Sequence, residues 1–166
     1  ASYRTTAGDR GVGVFEGEQI RELAAAPPGI GLSPMRQLIA RGLPDARSLT
    51  ELPGRLLSPD EVEWEPVVPD PSKIIAAPVN YRDHQAEMQE AFHVSSLGVF
   101  LKAPSSVLAS GGVVQLPYVD RRFDQEGEVA LIIGRTASHV PVEAALDYVA
   151  GYTLLLDMTM RGGEDR

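Results

Sequence analysis

No cysteine occurs at any of the 166 positions of this sequence. That excludes a disulfide-stapled scaffold, thiolate-ligated zinc and a cysteine nucleophile. Lysine is nearly missing too: Lys73 and Lys102 are the only two among 15 basic residues. The rest are arginine, a usage expected of a GC-rich genome and silent about function. Positive charge is in deficit, with a formal net charge of −8. Such a balance argues against nucleic acid or an anionic membrane surface as partner. No apolar run approaches the roughly 20 residues needed to cross a bilayer, and no secretory signal opens the sequence. A cytoplasmic protein is therefore expected, with no membrane partner. The first residue is Ala1 rather than methionine, so a trimmed start is also expected.

What is present is ordinary for a globular chain: 43% hydrophobic and 23% charged residues. The length suits one domain, or a domain with a small appendage. Residues 1–65 read as a small N-terminal unit. Tyr3 to Thr6 and Val12 to Phe15 are strand-like pieces around a turn at Gly8-Asp9, and 16–19 reads as a hairpin turn. Ile20, Leu23 and Ala24 fit a short strand or helix, broken by 27–29. Ser33-Pro34 opens a helix carrying Met35, Leu38 and Ile39, ended by Gly42 or Pro44. Residues 56–57 and 62–64 form a further extended run. Three prolines within 66–71 mark the expected linker.

Beyond it the pattern predicts strands at 73–77, 98–102, 128–133 and 152–156. A helix over 141–149 would stop at Gly151. Strands dominate and helices are few, giving a β-rich α+β class.

Three groups of residues carry possible chemistry. Glu126 and Glu128 flank Gly127 at the start of a strand, and side chains alternate faces along a strand. Both carboxylates therefore point the same way. They must protonate, stay solvated or share a cation. Asp157 closes the apolar stretch 152–156, as an acid at a partly buried sheet end. Three carboxylates without thiolate favour Mg²⁺, Mn²⁺ or Ca²⁺ over zinc. The competing reading is a solvated strand face, since Glu-x-Glu is common.

The second group follows the first apolar strand: Asn80, Tyr81, His84 and Glu87. If His84 opens a helical turn, Glu87 lies one turn later and can orient its imidazole as a base that activates water. A polar helix start is the competing reading. His93 and His139 have no such company. In the third, Lys102 leaves a strand beside Ser105 and Ser106. Arg161 follows Asp157 by four residues. Either cation can bind an anion or pair with a nearby acid.

Together these segments resemble the fumarylacetoacetate hydrolase family. N-Y-x-x-H-x-x-E matches Asn80, Tyr81, His84 and Glu87. F-x-K-x-P-S-S matches Phe100, Lys102, Pro104, Ser105 and Ser106. D-x-E-x-E matches Asp124, Glu126 and Glu128. A-G-Y-T-x-x-x-D-x-[ST]-x-R matches Ala150 to Thr153, Asp157, Thr159 and Arg161. Each motif is weak alone, but all occur in the family's order.

The resemblance implies a mixed β-sheet roll, preceded by a small N-terminal domain at 1–65, the linker at 66–71 and the first part of a catalytic domain at 72–166. It implies Mg²⁺ or Mn²⁺ (Ca²⁺ in crystals) on Glu126, Glu128 and Asp157, with His84 and Glu87 as the acid–base dyad. Arg161, Lys102 and Tyr81 are implied as substrate contacts. The implied substrates are 2,4-dioxo acids or their enols, undergoing C–C hydrolysis, isomerisation or decarboxylation in a homodimer. Family members carry Asp and Gln after the arginine, where Gly162-Gly163-Glu164 stands here, so Glu164 is given no role. Members also continue well past this point. Further chain or a second protomer is therefore expected to cover strand 152–156, whose apolar face should otherwise lie exposed. The alternative is a non-catalytic fragment or interaction module that keeps the fold and metal site. A structural Ca²⁺ site is a weaker third reading, because it leaves the dyad unexplained.

Overall fold

The alternation near the start of the chain becomes a five-stranded antiparallel sheet in the computed structural model, which describes residues 1–26, 31–43, 46–87 and 94–161. Its strands are β1 (Ser2–Thr5), β2 (Arg10–Glu16), β3 (Gln19–Ala26), β4 (Leu56–Leu57) and β5 (Val62–Trp64), in the order β4-β3-β2-β1-β5. The segment around Ile20 is thus a strand. Its pairing with β2 through the 16–19 turn offers a ladder that helix propensity there cannot match. Tyr3, Ile20 and Leu57 form the buried cluster, with Val62 and Trp64 packed against it. Burial is the main cause that pushes the Tyr3 hydroxyl well above the usual phenol range, aided by its 2.8 Å hydrogen bond to Glu22 Oε2.

Helix α1 (Pro34–Ala40) begins where Ser33 Oγ accepts from the Arg36 N–H, and Gly42, at φ +85°, turns the chain out of it. Helix α2 (Ala46–Glu51) has no counterpart in the sequence reading. It is short, and its apolar residues are too few to set a period. The segment 66–71 has no regular structure but is tied to the first sheet and to the start of α1. Ser2 Oγ donates to the Val67 carbonyl at 2.7 Å, and the Ser33 N–H donates to Asp70 at 2.9 Å.

Gly11 faces Tyr3 across the ladder, and a Cβ there would lie 2.4 Å from the Tyr3 ring. Gly11→Ala is expected to lower stability by about 2 kcal/mol, within the range for overpacking a fitted core. Urea unfolding of the full protein checks it.

Two smaller pairings follow. β6 (Ile74–Ala76) pairs with β7 (Phe100–Lys102), and between them lie α3 (Arg82–Glu87) and α4 (Val94–Leu97). β8 (Phe123–Ile133) and β9 (Val149–Met160) form a long antiparallel ribbon. Both strands exceed the sequence expectation. Asp157 therefore sits inside β9 rather than at a sheet end, and Gly151 lies within the strand rather than stopping a helix. The expected helix at 141–149 is instead a 3-10 turn over Val142–Tyr148. Its N-cap is Pro141, whose side chain can make no capping hydrogen bond, and the chain must re-enter the ribbon at once.

One ribbon face carries Val129, Leu131, Tyr152, Leu154 and Leu156, with Leu154 80% exposed. This is the uncovered apolar face that the sequence led us to expect. The breaks expected at 27–29 and Pro44, together with His93 and 162–164, lie outside the described residues.

Candidate functional site

The opposite face of the ribbon gathers the acids. Burial alternates along β8, so Asp124, Glu126 and Glu128 share one face, while Gln125 and Gly127 point to the other. Glu126 lies directly across from Asp157 in the ladder, Asp124 across from Thr159, and Glu128 across from Leu155. Opposite residues of an antiparallel pair have Cβ atoms roughly 4.5–5.5 Å apart on the same face. The antiparallel register, not sequence proximity, thus sets Asp157 beside Glu126. Asp157 is 8% exposed, and a carboxylate so buried needs a counter-charge.

The counter-charges come from other elements. Lys102, at the end of β7, pairs its Nζ with Asp157 Oδ1. Arg161, just past β9, donates from Nη2 to Glu126 and from Nε to Asp124 at 2.9 Å. Arg122 also clasps Asp124, through Nε at 2.6 Å and Nη2 at 3.0 Å. These hydrogen bonds, from Arg122 first and then Arg161, hold the Asp124 carboxyl below its ordinary value of 3.8. A lowered pKa adds stability above the ordinary value, and that stability is lost as pH falls through the lowered one. The melting-temperature gap between wild type and Asp124→Asn should therefore be present at neutral pH and close in acid. A gap that persists unchanged under acid conditions would contradict this assignment.

The sequence reading gave Asp124 no role, although its spacing two residues before Glu126 places it on the same face. Arg122 carried no signal, because its contact depends on the turn into β8.

Tyr81 reaches the same region, with its hydroxyl accepting from the Val129 N–H at 3.3 Å, one residue from Glu128. Chain direction makes this contact possible. Between β6 and Tyr81, Val79 adopts φ +46°. A β-branched residue rarely enters that left-handed region, and doing so costs about 1–3 kcal/mol. Val79→Gly is therefore expected to melt no lower than wild type, despite the added freedom of glycine in the unfolded chain. Calorimetry checks that. His84 and Glu87 both lie in α3, one turn apart, which begins directly after Tyr81. Their side chains lie outside the described residues.

Every acid on this face offers oxygen, and the sequence has no sulfur ligand from cysteine, so the donor set suits a hard divalent cation. Among the described residues no three carboxylate or imidazole groups converge on one point. Asp157 and Glu126 have each turned toward a basic partner. The backbone nonetheless sets Glu126, Glu128 and Asp157 on adjoining positions of one face, and Lys102 already places a positive charge against the most buried of them. The residues fit a divalent ion.

The ribbon thus gathers an oxygen-rich set of carboxylates, flanked by a lysine and an arginine. Residues 73–165 match the family model described as fumarylacetoacetate (FAA) hydrolase C-terminal, and the chain belongs to that family.

A maleylpyruvate hydrolase from Aquipseudomonas alcaligenes is 36% identical to this chain, covering 93% of the chain and 60% of that protein. The crystal structure of maleylpyruvate hydrolase from Sphingobium sp. SYK-6, in complex with manganese(II) and pyruvate, superimposes with a TM-score of 0.73 at 33% identity. The match covers 97% of this chain and 59% of that one. A mitochondrial oxaloacetate tautomerase from Arabidopsis thaliana is 39% identical over 90 residues, which are 54% of this chain and 40% of that protein. The chain thus spans about 60% of the length of the maleylpyruvate hydrolases it matches. Among the described residues, no helix is long and apolar enough to cross a membrane.

Proposed function

We propose that this chain is the metal-binding part of a hydrolase that cleaves a C–C bond in 2,4-dioxo acids of the acylpyruvate type. The observation that carries the reading is the cross-strand pairing of Glu126 with Asp157, with Glu128 next on the same face. The two maleylpyruvate hydrolases, one solved with manganese(II) and pyruvate, support both the reaction class and the metal.

In this reading Glu126, Glu128 and Asp157 hold Mn²⁺ or Mg²⁺. Bound there, the ion supplies the positive charge that polarises the oxo group of the acid. The chain's own residues do the rest. Arg161 and Lys102 neutralise the substrate carboxylate. Tyr81 lines the approach to Glu128. An imidazole nitrogen of His84 takes a proton from water, and Glu87 accepts a hydrogen bond from the other ring nitrogen and favours the charged form. Water adds to the distal oxo carbon, and the bond between that carbon and the adjacent methylene breaks. The acyl part leaves as a carboxylic acid, and pyruvate remains after its methylene carbon takes back the proton.

A second reading, proton transfer between enol and keto forms without cleavage, uses the same residues. The likeness to the oxaloacetate tautomerase favours it. One experiment separates the two: incubate the full-length protein with acylpyruvates and with oxaloacetate, with and without Mn²⁺. Metal-dependent release of pyruvate together with the matching carboxylic acid from the acylpyruvates supports hydrolysis. Enol decay without pyruvate release supports the tautomerase reading. Inactivity on both sets of substrates, with metal present, would sink the proposal.

A further inference from the structure

Asp157 is the most buried acid of the ribbon, and among the described residues it pairs with a single ammonium, that of Lys102. Arg161 is differently placed. Its Nε donates to Asp124 and its Nη2 to Glu126, so it is held from two sides. Lys102 comes from a separate two-stranded pairing and crosses to β9 for this one contact. Its side chain is 28% exposed and so has room to leave, whereas the Asp157 side chain, at 10%, does not.

A divalent ion on Asp157 would meet that ammonium across a single carboxylate. Two cations so close, in a partly dehydrated setting, repel strongly. Without any cation, Asp157 would be a buried, unpaired charge.

We propose that Lys102 is an internal counter-ion: it neutralises Asp157 in the metal-free protein and is displaced when the divalent ion binds. The inference rests on the reading of Glu126, Glu128 and Asp157 as the metal site. It adds an order to the binding events. Metal entry frees the ammonium, which then faces the anionic ligand. Lys102 is accordingly a competitor for the metal first and a substrate contact second.

The test is calorimetric titration of the full-length protein with Mn²⁺, comparing wild type, Lys102→Gln, Lys102→Arg and Glu126→Gln. Loss of the competing charge should tighten Mn²⁺ binding in Lys102→Gln by about tenfold or more. Lys102→Arg keeps the charge and should bind like wild type. Equal or weaker affinity in Lys102→Gln overturns the counter-ion role while leaving the metal site standing. If wild type and Glu126→Gln take up Mn²⁺ alike, the metal-site reading itself fails, and the inference goes with it.

Because Lys102→Gln leaves the buried Asp157 carboxylate unpaired, which works against folding, a second measurement uses the wild-type side chain. The lysines are dimethylated with ¹³C, which preserves their charge, and followed by NMR during Mg²⁺ titration. The Lys102 signal, assigned from Lys102→Arg, should move in step with saturation of the site, while that of Lys73 stays still. A Lys102 signal that does not move at saturating Mg²⁺ overturns the proposal.

Discussion

Replacing Asp157 by asparagine is expected to abolish divalent-metal binding and to cut turnover of an acylpyruvate by about 10²- to 10³-fold, the scale seen when a preorganised charge-stabilising group is lost. Asparagine keeps the shape of the side chain and one oxygen but removes the charge. The ribbon should therefore still form, because its ladder is a backbone property running from Phe123↔Met160 to Ile133↔Val149. The consequence for Lys102 is specific. Its partner in the metal-free protein disappears, so the pair's contribution to stability is lost while the metal's is never gained. Mn²⁺ should then raise the melting temperature of wild type but not of Asp157→Asn, since a ligand stabilises only what it binds. A metal-induced shift of equal size in both proteins would remove Asp157 from the site.

The second large effect is expected at His84. His84→Ala should lower turnover by about 10²- to 10⁴-fold, the usual contribution of a positioned acid–base group. Mn²⁺ affinity should stay at the wild-type value, because the ribbon carboxylates are untouched. That split distinguishes His84 from the metal ligands, whose loss removes both properties together. Glu87→Gln should give a smaller loss and should also shift the pH profile of kcat/KM, since the carboxylate supports the charged imidazole. Full activity in His84→Ala would rule the imidazole out of the proton transfer and leave water activation to another group.

The exposed ribbon face bears on how such assays are run. Val129, Leu131, Tyr152, Leu154 and Leu156 lie on the side opposite the acids. A contiguous apolar surface of this kind marks an interaction site or an aggregation hazard. The relatives with which this chain aligns extend well beyond the aligned region, so the full-length protein is the right material for each measurement.

Much of this was legible from residue order alone, where the governing physics is local. Two-residue alternation placed Glu126 and Glu128 on one face, because the strand repeat admits no other outcome. Ser33-Pro34 announced the start of α1 through a hydroxyl cap and a proline that needs no donor. The absence of cysteine excluded thiolate from any metal site. Other features were misread for a local reason. Val149 to Gly151 looked like a helix end because Gly151 follows a helical spacing. The ladder partners Ile133, across from Val149, and Ile132, across from Gly151, claim that segment for β9 instead, and no window on one strand contains them.

What only the tertiary structure decided are the relations between distant residues. The register that sets Asp157 across from Glu126 depends on how β9 returns along β8, and a slip of one residue would send Asp157 to the apolar face. The pairing of Lys102 with Asp157 joins residues 55 apart in sequence, from strands that share no hydrogen-bonded ladder. Sequence therefore determined which groups were available and which way each faced on its own strand, since backbone geometry repeats every two residues. The fold determined which charges meet, because Coulomb energy depends on separation in space and on burial, and neither is written in the order of the chain.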